Sequence, residues 1–71
     1  MEKYYLIVLK SDSQSIYDYD SIEKARAAYH SELASDYAYF EQGIISYFTV
    51  MITNLSGDVL YKEFMFNQEK G

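Results

Sequence analysis

The sequence predicts an α+β domain of ββαββ order, in which a four-stranded antiparallel sheet carries one long helix packed on one face. Three observations support this. Two strand-favouring runs near the start are split by the polar cluster Ser11-Asp12-Ser13-Gln14-Ser15. A central stretch repeats apolar residues at intervals of three and four. Two further apolar runs flank Asn54-Leu55-Ser56-Gly57-Asp58, which has the composition of a tight connector.

The first strand is expected over residues 4–10 and the second over 15–19, where Ile16-Tyr17-Asp18-Tyr19 alternates in part and Asp18 would discourage stray pairing at a sheet edge. Asp20 and Ser21 are alternative N-caps for a helix over about residues 21–40, with Glu23 placed to complete a capping box from Asp20. Ile22, Ala25, Tyr29, Leu33, Tyr37 and Phe40 form its apolar stripe, Glu23, Lys24, Ala27, Ser31 and Ala34 its solvated face, and Gly43 its C′ residue. The remaining strands fall at 44–53 and 59–66, joined by a turn that needs Gly57 in the left-handed region.

That turn sets an expected register. If Asn54 faces Asp58, Thr53 pairs with Val59, Ile52 with Leu60, Met51 with Tyr61, Phe48 with Phe64 and Tyr47 with Met65. Because side chains alternate, Phe48, Val50, Ile52, Leu60 and Phe64 would lie under the helix. Tyr47, Thr49, Met51, Val59, Tyr61, Glu63 and Met65 would occupy the other face, joined by Tyr5, Ile7 and Leu9 or by Tyr4, Leu6 and Val8 from the first strand.

The chain is expected to be a single domain, 1–71. At 71 residues one core has little stability to spare, and without cysteine a second subunit is the remaining means of adding to it. The lack of cysteine fits a reducing cytoplasm, and Tyr4 to Leu9 is too short for a signal sequence or a membrane span. A net charge of -5 disfavours nucleic acid as a partner.

Aromatic residues make up 18% of the chain, nine of them tyrosine, which suits half-buried sheet faces and contact surfaces. The face away from the helix is therefore expected to be covered by another molecule. Two such sheets stacked as a symmetric dimer need only one self-complementary patch. The interface expected is Tyr47, Met51, Tyr61, Met65 and Tyr5, with a partner rim of Tyr17, Tyr19, Tyr37 and Tyr39.

Catalytic chemistry is not signalled. His30 is the only imidazole, and its helical neighbours Arg26, Ala27, Leu33 and Ala34 include no carboxylate to orient it. Asp12, Asp18, Asp20 and Glu23 read as a solvated acidic rim near one end of the fold, with no calcium-loop pattern. The three glycines form no phosphate cradle, and no cofactor or metal is expected.

Tyr4-Tyr5-Leu6-Ile7-Val8, Tyr17-Asp18-Tyr19-Asp20, Ala28-Tyr29-His30-Ser31-Glu32-Leu33-Ala34 and Gly57-Asp58-Val59-Leu60-Tyr61-Lys62-Glu63 resemble the small ββαββ proteins carried by phages and prophages of Gram-positive bacteria. Some small phage proteins of this size are anti-defence inhibitors, including one directed at the Hachiman system. The resemblance implies a non-enzymatic protein, acting in the host cytoplasm, that inhibits a bacterial defence protein by stoichiometric binding. It differs at Tyr37 to Phe40, where the resembling proteins are more polar. Two other functions fit the composition: a sponge holding a small nucleotide signal at a dimer pocket, and a host structural or regulatory accessory protein.

Overall fold

The computed structural model describes residues 2–66, and the rest of the expected 1–71 domain lies outside them. The elements follow the expected order: β1 (Tyr4–Lys10), β2 (Ser13–Tyr19), α1 (Ile22–Glu41), β3 (Tyr47–Asn54) and β4 (Val59–Phe66). All pairings are antiparallel, and the strands lie in the order β2-β1-β3-β4, so β2 and β4 are the edges.

Two strand starts differ from expectation. Lys10 pairs with Ser13, so Ser11 and Asp12 alone make the first turn and the polar residues Ser13 to Ser15 belong to β2. An edge strand accepts serine and glutamine because much of it faces water. β3 begins at Tyr47 rather than residue 44. Ile44 to Ser46 are taken up by the end of the helix and the crossing back to the sheet, where Ile45 enters the core and the Ser46 amide donates to Ser11 Oγ at 3.0 Å.

Ser21 is the N-cap: its backbone is extended and its hydroxyl accepts from the Lys24 amide at 3.1 Å. The alternative box from Asp20 is not formed, and Asp20 instead pairs with Lys24 Nζ at 3.1 Å. At the other end the Ile44 amide donates to the Tyr39 carbonyl and the Gly43 amide to Phe40. Gly43 sits at φ 80, so the helix closes in a Schellman motif around the expected C′ glycine.

Leu6 and Val8 of β1 and Phe48, Val50 and Ile52 of β3 form the floor of the core, and Ala25 and Tyr29 of α1 close it from above. Ile22, Leu33 and Phe40 pack at its margin, so most of the expected stripe faces the sheet. Tyr37 also faces the sheet, its ring edge-on to Phe48, while remaining 36% exposed. Glu23, Lys24, Ala27, Ser31 and Ala34 face solvent as expected.

The connector before β4 forms as its residues require. The Asn54 amide donates to the Asp58 carbonyl at 3.1 Å, while Asn54 Oδ1 accepts from the amides of Ser56 and Asp58. Gly57 has φ 89 and nothing within 4 Å of where a Cβ would stand. Any penalty for a side chain there is therefore conformational rather than steric. Gly57→Val should cost about 1–2 kcal/mol and lower the melting temperature by roughly 5–15 °C. Gly57→Asn should recover most of the loss because asparagine tolerates the left-handed region. A valine variant that melts with the parent would reject this account.

Thr53 pairs with Val59 as expected, but an irregularity between Ile52 and Thr53 then shifts the ladder by one residue. Ile52 faces Tyr61, Val50 faces Glu63, Phe48 faces Met65 and Tyr47 faces Phe66. Leu60 is the extra residue, and every β4 side chain beyond it exchanges faces relative to the expected register.

The reason lies in the reach of the helix, whose core contacts are with β1 and β3. In the expected register Leu60 and Phe64 would have stood on the helix side of β4. With the bulge, Tyr61 instead lies 5.8 Å from the Tyr29 ring, the Arg26 guanidinium sits 5.3 Å from the Tyr61 centroid, and the Tyr37 hydroxyl donates to the Glu63 carboxylate.

Candidate functional site

The corrected register defines the face of the sheet that carries no helix. Gln14, Ile16 and Asp18 come from β2, and Tyr5, Ile7 and Leu9 from β1. Tyr47, Thr49, Met51 and Thr53 come from β3, and Val59, Lys62, Phe64 and Phe66 from β4. Tyr5, Ile7, Leu9 and Met51 are half-buried by their neighbours, so the middle of this face is an apolar floor. Ile16, Tyr47, Phe64 and Phe66 stand higher around it, at 68%, 46%, 51% and 52% exposure.

Five residues were expected to form the interface, and the sheet divides them. Tyr5, Tyr47 and Met51 share the helix-free face, with Met51 beside Ile7 and Tyr5 beside Thr53. Tyr61 and Met65 lie on the helix side of β4, contrary to expectation, because the bulge at Leu60 turned them over. Phe64 and Phe66 take their place, stacked with centroids 6.2 Å apart and planes 18° from parallel. The face is more apolar than the sequence register implied, since two phenylalanines replace a tyrosine and a methionine.

The expected rim is not one surface. Tyr17 and Tyr19 lie on β2, with Tyr19 packed against the core and Tyr17 47% exposed. Tyr37 and Tyr39 belong to the far end of the helix, where Tyr37 packs edge-on to Phe48 at 5.1 Å and Tyr39 is 43% exposed. The acidic rim separates in the same way. Asp12 occupies the β1–β2 turn, whereas Asp20 lies beyond the opposite end of β2, a strand length of about 20 Å away.

Proton chemistry is sparsely provided. The Glu63 carboxylate that accepts from Tyr37 pushes that phenol up to about 12, and a hydrogen bond to Glu2 raises Tyr4 in the same way. Burial raises Tyr29. His30 is exposed on the helix, its ring edge-on to Tyr29 at 5.4 Å. No group of three or more metal-ligating side chains occurs among the described residues. The cations near β4 do not converge: Arg26 caps Tyr61 on the helix side, and Lys62 lies over Phe64 on the other face at 5.6 Å. No helix of the described residues is long and apolar enough to cross a membrane.

Asp36 was missed in the sequence. It is fully buried, and among the described residues no hydrogen bond reaches either carboxylate oxygen. Lys10 Nζ stands 3.6 Å from Asp36 and 3.5 Å from Glu32, one helical turn earlier. Burial first, then Glu32, raises the Asp36 carboxyl to about 6, with Lys10 opposing. Both carboxylates hold the Lys10 ammonium up against the opposing effect of its own burial. The signal was present, since Asp36 falls three residues after Leu33 and four before Phe40, a core spacing interrupted by a charge.

Comparison with family models, with curated proteins and with solved structures finds no match to this chain.

Proposed function

We propose that this chain is a non-enzymatic protein-binding module that acts as a homodimer, with the helix-free face of its sheet as the contact surface for a target protein. The observation that carries the reading is the continuous apolar floor of Tyr5, Ile7, Leu9 and Met51, bordered by the exposed side chains of Ile16, Tyr47, Phe64 and Phe66. Each aromatic ring offers on the order of 150–250 Å² when fully exposed, and monomers seldom leave a contiguous apolar patch above roughly 300–600 Å². An extended apolar surface of that kind suits another protein surface.

The target class follows from the sequence resemblance, which points to a bacterial defence protein inhibited by one-to-one occupation in the cytoplasm of the host. The test is a pull-down from lysate of a defence-bearing bacterium, with Met51→Glu as the matched control. A carboxylate placed on the apolar floor costs at least about 2 kcal/mol on binding, roughly thirty-fold in affinity. The native chain should retain a defence protein that Met51→Glu releases, while both melt at similar temperatures. Equal retention by the two, or retention of no protein by the native chain, would reject this surface.

A further inference from the structure

β4 is the one strand of the sheet that is both apolar and bare. Leu60, Tyr61, Phe64, Met65 and Phe66 are 36–52% exposed, and none of the strand's eight residues is buried. Among the described residues its outer edge carries no neighbouring strand, its helix side is touched by the helix at Tyr61 and Glu63, and its other side continues the helix-free face. The opposite edge is built differently. β2 reads Ser-Gln-Ser-Ile-Tyr-Asp-Tyr, with Asp12 and Asp20 just beyond its ends, a polar and acidic border of the kind that discourages pairing. After its bulge β4 carries only Lys62 and Glu63 as charges, and these are of opposite sign.

We propose that β4 pairs antiparallel with β4 of a second copy, joining the two four-stranded sheets into one continuous sheet with both helices on the same side. This rests on the homodimer reading above and gives it a geometry. A two-fold axis perpendicular to the sheet sets the same alternation of apolar side chains against itself on both faces, which a self-pairing strand satisfies without a second matching surface.

Charge favours the same occupant. The chain is acidic overall, but β4 carries one Lys62 against one Glu63, so two copies meet along a neutral strip, whereas β2 edges would set aspartates together. The exposed parts of the five side chains, with the free strand edge, amount to roughly 500–600 Å² per copy, so that a pair reaches the lower end of specific interfaces. Stacking the helix-free faces would leave Tyr61 and Met65 wet. Edge pairing shelters them and leaves the joined helix-free faces open to a target.

The absence of native cysteine allows a clean test. Single cysteines placed in turn along residues 60–66 should, on mild oxidation, give a rapid disulfide-linked dimer at one or two positions close to the axis, because paired β-carbons there stand about 4.5–5.5 Å apart. Met51→Cys, in the middle of the helix-free face, should stay unlinked. In light scattering at tens of micromolar the native chain should show twice its 8.3 kDa mass, Phe64→Lys should fall to one chain, and Leu55→Lys, on the exposed connector, should not. A dimer that links through Met51→Cys and through no β4 position would overturn edge pairing while leaving the homodimer standing. A single-chain mass for the native protein would overturn both.

Discussion

Phe48→Ala should leave the domain largely unfolded at room temperature. Phe48 is the largest fully buried side chain, seated on β3 with its ring edge-on to Tyr37 at 5.1 Å and to Phe40 at 6.0 Å. Truncating such a ring removes its transfer free energy and leaves a cavity that the sheet floor cannot close, a loss of about 3–5 kcal/mol. A single core in a chain of this length supplies roughly 3–5 kcal/mol, so most or all of its stability is at stake. Phe48→Leu keeps much of the volume and should cost about 1–2 kcal/mol. The check is urea unfolding followed by circular dichroism. Similar midpoints for the alanine and leucine variants would show that the ring is not the keystone of the helix–sheet contact.

Phe48 also illustrates how much of the fold was legible. Its place under the helix follows from alternation within β3 alone, and the same holds for Val50 and Ile52. The helix could be placed because its stripe has the correct period, and its ends because Ser21 and Gly43 are residues that caps require. The connector could be read because Asn54 and Gly57 each satisfy a specific backbone need there. In all these cases the information is local, carried by a few adjacent residues.

The β4 register was not local. Turn chemistry fixes the pair Thr53–Val59, but whether Leu60 is then paired or bulged depends on where the helix lies and on what Tyr29, Arg26 and Tyr37 offer to Tyr61 and Glu63. No pattern within β4 encodes that choice, since Val59 to Phe66 is apolar on both alternations except at Lys62 and Glu63. A slip of one residue therefore costs little in the strand itself while exchanging the members of the candidate site. Tyr47 and Met51 stand on the expected face because the other face of their strand is committed to the core, and of the two alternations left open for β1 the structure takes Tyr5, Ile7 and Leu9. Tyr61 and Met65 do not stand on theirs, because their strand has no such commitment.

Asp36 leads to the second large effect, and its sign is opposite to that of an ordinary paired carboxylate. Its folded value, about 6, lies above the ordinary 3.8, so the folded protein holds a proton that the unfolded chain has already released over that range. Stability assigned to Asp36 is therefore fully present below pH 3.8 and declines as pH rises through 6, after which the cost is constant. Across the whole range this amounts to about 3 kcal/mol, of which roughly half falls between pH 5 and pH 7.5, still enough to be read from melting curves. The domain should melt higher at pH 5 than at pH 7.5. The groups facing Asp36 are Glu32 from its own helix and Lys10 from β1, and only the first adds to the penalty. Asp36→Asn keeps the shape, can donate from its amide to Glu32, and leaves Lys10 with one carboxylate partner. That variant should gain stability at pH 7.5 and lose most of the rise on acidification. If it instead loses stability at neutral pH and keeps the same pH profile, the Lys10 ion pair outweighs burial, and the Asp36 carboxyl is not the source of the pH dependence.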